Sequence, residues 1–396
     1  MNQKGNQIVK IAFFQLVCPG YKRSMFEGLQ KLPGVDLTLF VGDKTPPGCP
    51  PSESLDTVSH VLIQNIIAIL FGFTFVWQRI SEKFLVKNYD LVLLPEGVLY
   101  LSNYYIMLKC WLNKVPFGLY THGFNYQRRN TYISKLLERL RSFVHRRCDV
   151  LIVYSEEGAN HLNKINNVSF DKIFIAHNTL DLNAILKRSE KFSEDDLLQC
   201  RETMGVAPSD VLLMYVGRIS AEKKPEWVIQ AVEYIRGQGL SVHAVFIGDG
   251  PSYTALKEYV STFSIDVRSS IHILGRFPME DVDLYLKSAD ISVMPGMTGL
   301  AIVHSFALGK PYVTVKSPYH SPEICYLHHR ENGLMTDNNL SAFCDAVLFL
   351  VKNPLKRKAM GKCAYQYAIS ELSMKNQLNA FEQAFNCIRN RTQCNL

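Results

Sequence analysis

The sequence predicts a two-domain α/β protein, each domain a doubly wound parallel sheet flanked by helices. Three observations carry that expectation. Apolar runs of strand length alternate with amphipathic helical stretches in both halves of the chain. Glycine-bearing turns, at Gly20, Gly217, Gly248, Gly275 and Gly299, follow predicted strand ends. A length of 396 residues, 47% of them hydrophobic and 20% charged, supplies material for two cores.

In the first half, Ile8 to Leu16 is a continuous apolar run, as a strand buried on both faces requires. Cys18-Pro19-Gly20 breaks it, and Ser24 to Leu32 reads as a helix. Leu37 to Val41 is the next strand, and the proline-rich stretch Lys44 to Pro51 is a loop. Asp90 to Leu94, Phe117 to Thr121, Val150 to Tyr154 and Ile173 to Ala176 are further strands. Between them lies Ile66 to Trp77, expected as a buried helix; the other reading is a segment lying on a membrane beside Arg79 and Lys83. It falls short of the ~18 apolar residues that span a bilayer.

The domains are expected at 1–181 and 211–372, with a polar bridge at 182–210. In the second half, Val211 to Val216 is a strand followed by Gly217-Arg218, and Pro225 to Arg236 is an amphipathic helix. His243 to Ile247 and Ile271 to Leu274 are strands, and Ser252 caps the helix between them. Glu280 to Ser288 is helical. Ile291 to Met294 runs into a Pro-Gly turn, and a small-residue helix follows from about Leu300 to Leu308, stopped by Gly309. Tyr312 to Val315 is the next strand. The final segment, 373–396, places Leu378, Phe381, Phe385 and Ile388 at helical spacing and is expected to pack back on the first domain.

Charge is unevenly placed. Residues 101–150 hold nine Lys/Arg against Glu138 and Asp149, a local excess equal to the net +7 of the whole chain. The basic stretch 128–147 is expected to meet an anionic membrane surface or a phosphorylated acceptor; a solvated helix face is the alternative. The ten cysteines show no CxxC, and the chain opens on a polar segment rather than an apolar leader. Reduced thiols, no zinc site, and a cytoplasmic protein are the expectation, peripheral on the inner face of the plasma membrane.

Doubly wound domains bind ligands outside the carboxyl ends of their strands, and two such domains facing each other leave a cleft. The turn from Met294 to Ala301 is the strongest candidate. Free N–H groups at a helix start attract an anion, and Gly299 lets a phosphate approach the backbone. Taken alone, the segment is equally an ordinary strand-to-helix turn. No GxGxxG follows a predicted strand, which argues against an NAD oxidoreductase. Asp281-Val282-Asp283 resembles a metal-binding DxD, but it sits inside a helical pattern, so no metal is expected.

Taken in order, MYVGRISAEKKPEWVIQA, FIGDGP, IHILGRFPMEDVDLYLKSADISVMPG, GLAIVHSFALGKPYVT and SPEICYLHHRENGLM resemble the retaining GT-B glycosyltransferases of family 4. THGF, CDVLIVYSEEGANHL and HNTLD agree more weakly in the first half. The resemblance implies transfer of a sugar from a nucleotide sugar to a saccharide or lipid-linked acceptor, with retention and without metal or other cofactor. It implies an acceptor-binding first domain, a nucleotide-sugar-binding second domain, and no nucleic acid partner. Cell-surface polysaccharide or lipopolysaccharide synthesis is the expected setting.

The resemblance also implies roles. Arg218 and Lys223 would hold the diphosphate, where negative charge builds as the glycosidic bond breaks; Lys224 is a possible substitute. Gly20, Gly217 and the amides of Gly299, Leu300 and Ala301 would complete the phosphate site. Gly275, Arg276 and Phe277 match the loop that contacts the base. His122 would face the donor sugar, and Gly296, Met297 and Thr298 form the donor-sugar loop. The family's two glutamates, seven residues between them, are replaced by Gly296 and His304, with His304 expected at the ribose and Glu323 a conceivable compensation. That loss supports a second reading, a nucleotide-sugar-binding partner protein without catalysis. A nucleotide-sugar epimerase of the same architecture is a third.

Overall fold

The computed structural model describes residues 8–46, 55–81, 84–124 and 131–394. Most of the 44–51 loop, Lys83, and Arg128 and Arg129 of the basic stretch lie outside the described residues. The chain divides into two compact units, residues 1–178 with 374–396, and residues 179–373.

The first unit begins with β1 (Val9–Gln15), α1 (Arg23–Gln30) and β2 (Val35–Gly42). Then come β3 (His60–Leu70), β4 (Phe73–Arg79), β5 (Leu91–Pro95), α2 (Leu101–Leu112) and β6 (Phe117–Thr121). The series continues with α3 (Tyr132–Arg147), β7 (Val150–Val153), α4 (Glu156–Lys164) and β8 (Ile173–Ile175). Its sheet has the order β4-β3-β2-β1-β5-β6-β7-β8 and is parallel except for the β3–β4 pair. The order reverses between β2 and β5 around β1, so the carboxyl ends of β1 and β5 flank a switch point.

Ile66 to Trp77 is not a buried helix. It forms most of an antiparallel hairpin, β3–β4, in register from Gln64↔Arg79 to Leu70↔Phe73. The physical cause is the two-residue turn. Phe71 (φ 52°) and Gly72 (φ 76°) both lie in the left-handed region, as a tight hairpin demands. The flanking Ile, Phe, Thr and Val residues favour strand over helix. The hairpin tip is exposed rather than buried.

The second unit opens with α5 (Leu182–Ser189) and α6 (Glu194–Glu202), so residues 182–210 are a helical part of a domain rather than a plain bridge. Asp181 caps α5, and a capping box between Ser193 and Asp196 starts α6. There follow β9 (Val211–Val216), α7 (Glu226–Arg236), β10 (Val242–Ile247), α8 (Tyr253–Ser261), α9 (Ile265–Ser269) and β11 (Ile271–Gly275). The domain closes with α10 (Met279–Ser288), β12 (Ile291–Met294), α11 (Ala301–Ala307), β13 (Tyr312–Val315), β14 (Gly333–Thr336), α12 (Leu340–Lys352) and α13 (Pro354–Glu371). Ser252 stands at the start of α8 without a capping side-chain bond. The sheet order is β11-β10-β9-β12-β13-β14, all parallel, with its switch point between β9 and β12.

The last helix, α14 (Met374–Cys394), belongs to the first unit. Phe381, Phe385 and Ile388 are buried with Phe13, Phe26 and Leu29, and the Phe13 and Phe381 ring centroids lie 6.0 Å apart. Each such side chain contributes about 1.5–3 kcal/mol by leaving water. The terminal helix is thus a structural part of that domain.

Candidate functional site

In the second domain the chain leaves β9 at Gly217 and β12 at Pro295, the two sides of the switch point. The turns after β9, β10 and β11 are bonded to one another. Gly217 donates its N–H to the Ile247 carbonyl (2.9 Å), Gly248 to that of Gly275 (2.7 Å), and Ile219 to that of Asp249 (2.9 Å). Gly248 (φ 148°) packs so tightly that a Cβ there would lie 1.9 Å from the Gly217 carbonyl oxygen.

Lys223 crosses this switch point. Its Nζ donates to the Met297 carbonyl (3.0 Å) and lies 3.6 Å from where a Gly217 Cβ would stand. Burial lowers the pKa of its ammonium below the ordinary lysine value, with Glu222 opposing. Lys224 points elsewhere: its residue is left-handed (φ 50°), and its ammonium sits 3.9 Å from the Trp227 ring centre and donates to Asn338. Of the two lysines, Lys223 is the one that reaches the loop after β12. Arg218 is exposed beside it, and its guanidinium has no hydrogen bond or ion pair among the described residues.

The loop between β12 and α11 is pinned from several sides. The Met297 N–H donates to the Glu222 carbonyl (2.9 Å) and the Thr298 N–H to His320 Nδ1 (3.1 Å). Thr298 Oγ1 bonds the Tyr312 hydroxyl (2.7 Å), and the Ser321 N–H reaches the Thr298 carbonyl (3.0 Å). His320 donates from Nε2 to the Val315 carbonyl (2.7 Å), which fixes one neutral tautomer. Burial, with Lys223 adding to it, lowers the His320 pKa against the effect of that carbonyl. Beyond this loop, the amides of Gly299, Leu300 and Ala301 have no backbone acceptor among the described residues, as the first turn of a helix leaves them.

Gly296 and His304, the positions expected to stand in place of the family's two glutamates, are both held by packing. A Cβ on Gly296 would lie 2.3 Å from the Glu222 carbonyl oxygen and 2.5 Å from Lys223 Cα. No side chain fits there in this loop. His304 faces inward from α11, buried, with Nε2 2.6 Å from Asp283 Oδ1. Asp283, fully buried on α10, receives Arg188 Nε from α5 at 2.5 Å. The DxD-like triplet thus supplies a helix-to-helix tie, and among the described residues no cluster of His, Cys, Asp or Glu could hold a metal.

Gly275 and Arg276 lie at the end of β11, Arg276 exposed; the Phe277 ring leans on Tyr285 with centroids 5.6 Å apart.

In the first domain, Gly20 opens a short 3-10 turn after β1, and His122 follows β6. The His122 ring is exposed on one side and packs against Tyr154 with centroids 4.7 Å apart. Desolvation by surrounding protein lowers its pKa to about 4; Glu96 opposes this, and Lys22 and Arg141 add to it. His122 is therefore a neutral imidazole at pH 7.

Sequence reasoning did not single out Lys22, Tyr154 or Glu96. Lys22 Nζ lies 3.4 Å from the Tyr154 hydroxyl and 5.0 Å from the Tyr120 ring centre. Glu96, just after β5, accepts from His145 Nε2 (2.9 Å) and Thr121 Oγ1 and is ion-paired with Arg141 (Nε at 2.9 Å), while the Thr121 hydroxyl oxygen accepts the Gly123 N–H (2.8 Å). The Glu96 carboxyl is held down at about 2: burial raises it, and His145, Arg141 and Thr121 together outweigh that. Its position in PEG at a strand end was the one available signal.

Residues 23–184 match the Glycosyltransferase Family 4 domain and residues 210–353 the Glycosyl transferases group 1 domain. The alpha-monoglucosyldiacylglycerol synthase of Streptococcus pneumoniae is 26% identical over 132 residues, 33% of this chain and 30% of that protein. The GDP-mannose-dependent alpha-(1-6)-phosphatidylinositol dimannoside mannosyltransferase of Mycobacterium tuberculosis is 28% identical over 164 residues, 41% of this chain and 40% of that protein. The chain thus spans less than half the length of either curated relative. HepE of Anabaena, solved with UDP, shares the fold at a TM-score of 0.70 and 14% identity, covering 96% of this chain and 100% of its own. Two parallel sheets, their strand orders and both domain matches agree: the chain belongs to the GT-B glycosyltransferases, joining a family 4 domain to a group 1 domain.

Proposed function

We propose that the protein transfers a sugar from a nucleotide sugar to a saccharide or glycolipid acceptor, with retention of anomeric configuration and without a divalent metal. The observation that carries this reading is the Lys223 ammonium at the second sheet's switch point, bonded to the Met297 carbonyl of the loop that runs on to the unengaged amides of Gly299, Leu300 and Ala301, with Arg218 exposed just after β9. As the bond from the anomeric carbon to the β-phosphate oxygen breaks, that oxygen gains negative charge. Lys223 supplies a fixed point charge held by Met297, and Arg218 a planar fork that grips two phosphate oxygens. These cations take the role a metal would otherwise have.

The acceptor hydroxyl attacks from the face the phosphate leaves, and its proton passes to the departing phosphate oxygen. Neutral His122, at the end of β6, contributes a hydrogen bond to the donor sugar rather than a charge. Gly275, Arg276 and Phe277 face the base. The two named curated relatives act on diacylglycerol- and phosphatidylinositol-based lipids, which supports a lipid-linked acceptor here. The exposed Lys135, Arg139, Arg146 and Arg147 of α3 would meet anionic headgroups at the membrane surface. Among the described residues no helix is long and apolar enough to cross a membrane.

The test is a panel of UDP-, GDP- and ADP-sugars with lipid and saccharide acceptors, run with and without EDTA. Product formation that persists in EDTA, with the anomeric configuration preserved by NMR, is expected. Turnover requiring Mg²⁺ or Mn²⁺, or an inverted product, would overturn the mechanism. Nucleotide binding by calorimetry beside a silent panel would favour the non-catalytic binding protein.

A further inference from the structure

The β3–β4 hairpin carries more exposed apolar surface than a solvated sheet edge tolerates. Phe71 at its tip is 99% exposed, Ile69 60% and Leu70 55%. Successive strand residues point to opposite faces, so exposed Ile69 and Leu70 make the tip apolar on both faces. Leu70↔Phe73, Ala68↔Phe75 and Ile66↔Trp77 line one of them without a charge. From Thr57 to Ser81 the chain has no Asp or Glu, and Arg79 stands at the hairpin base.

The surface continues onto α2. Leu101, Tyr105, Leu108 and Leu112 recur at i, i+4, i+7 and i+11 and all face outward, with exposed Trp111 beside them. The Trp77 and Tyr105 rings are 5.9 Å apart, and Lys109 lies over Tyr105. Helix α2 also lacks acidic residues, and exposed Lys114 follows it.

We propose that the hairpin tip and the outward stripe of α2 insert into the headgroup and acyl boundary of an anionic bilayer. Three features favour lipid over a protein partner. A docked protein covers one face of a hairpin, whereas immersion satisfies both. Arg79 on β4 and Lys109 and Lys114 on and after α2 complement anionic lipid, and among the described residues the one carboxylate bonded to the hairpin, Asp43, is engaged by the Asn65 N–H (2.7 Å). Trp77 lies along β4 between the apolar tip and Arg79, and its ring neighbour Tyr105 lies under Lys109, as aromatics at a membrane interface do; Trp111 is exposed on the same helix as Tyr105. This extends the membrane contact proposed for α3 to a separate, neighbouring element; α2 and α3 line one small cavity through Tyr104, Met107, Arg141 and Val144.

The hairpin base is fixed to the strand that leads to Gly20. Asn65 Nδ2 donates to the Leu16 carbonyl (2.9 Å) and the Lys44 carbonyl (2.7 Å). Gln78 Nε2 donates to the Gln15 carbonyl (3.1 Å) and Asn65 Oδ1 (3.0 Å), and its backbone N–H to Ser102 Oγ of α2 (3.2 Å). Insertion of the tip therefore ties the β1 carboxyl end to the bilayer surface through Asn65 and Gln78.

The test uses the full chain and sucrose-loaded vesicles of phosphatidylcholine with and without phosphatidylglycerol. Wild type sediments with the anionic vesicles. Leu70→Asp/Phe71→Asp binds them roughly 10²-fold more weakly, as two exposed anchors made anionic should. Its thermal midpoint stays at the wild-type value, because neither side chain is in the core. In a Trp227→Phe background, brominated lipids quench the remaining Trp77 and Trp111. Vesicle binding by the double variant at the wild-type level, with loss only in Arg139→Glu/Arg146→Glu, would overturn the hairpin's role and leave the glycosyltransferase reading intact. A dimer in vesicle-free sedimentation that the double variant abolishes would overturn it in favour of a second copy of the chain.

Discussion

Lys223 and Met297 hold each other's loops: the lysine ammonium donates to the Met297 carbonyl at 3.0 Å, and the Met297 amide donates to the carbonyl of the preceding Glu222 at 2.9 Å. The bond orients a cation at the end of β9 by means of backbone at the end of β12. Lys223→Ala and Arg218→Ala are each expected to lower turnover by about 10², as loss of one transition-state donor does. Steady-state kinetics with the best donor of the panel checks this. Wild-type rates in both variants would remove them from the phosphate site.

The lowered Lys223 pKa gives that site a pH signature. Below its pKa the ammonium is charged and attracts a diphosphate; as pH rises through that lowered value the charge is lost. Nucleoside diphosphate affinity should therefore fall at a pH lower than an ordinary lysine would allow. Calorimetry from pH 7 to pH 10.5 reads it, and Lys223→Arg should hold affinity across that range because guanidinium stays protonated.

A side chain at position 296 should harm the protein. Gly296→Glu, and equally Gly296→Ala, places a Cβ against the Glu222 and Lys223 backbone, a collision that costs about 1–3 kcal/mol. Urea unfolding measures the loss, and the Lys223–Met297 contact should loosen with it. Unchanged stability in Gly296→Ala would show that the loop has room to move.

Position 304 should respond through charge. His304→Glu sets a carboxylate against buried Asp283, which now shares only Arg188. A destabilisation of about 3 kcal/mol is expected, as for a broken buried pair, with recovery on adding Asp283→Asn. A wild-type unfolding midpoint in His304→Glu would contradict this.

Glu96 predicts acid sensitivity of the first domain. Its pKa is held at about 2 against an ordinary 4.5, so it contributes about 3 kcal/mol of stability fully present above pH 4.5. That contribution is lost as pH falls from 4.5 towards 2. Glu96→Gln should be less stable at neutral pH, and its unfolding curve should meet that of wild type near pH 2. Parallel curves throughout would refute the assignment.

The fold was legible where local pattern and global packing agree. Apolar strands such as Val211–Val216 and Ile291–Met294 stand out because parallel sheets bury both faces. Ile66–Trp77 was misread because a short apolar run carries no decisive period; only Phe71-Gly72 marks the turn. Residues 182–210 looked like a bridge because α5 and α6 are short and polar, although Ser193-x-x-Asp196 is a helix-start signal. Within the site, strand-end glycines were readable. The bonds from Thr298 to Tyr312 and His320 were not, since strand pairing brings those partners together across 14 and 22 residues.

The interlocked turns at Gly217, Gly248 and Gly275, with the braced Met297 and Thr298, bear on how a donor is met. Their torsional freedom is surrendered once, during folding, and an arriving diphosphate has little left to immobilise. Affinity then reports charge and fit almost alone, so closely related nucleotides should be told apart by the base they carry and not by any difference in loop ordering.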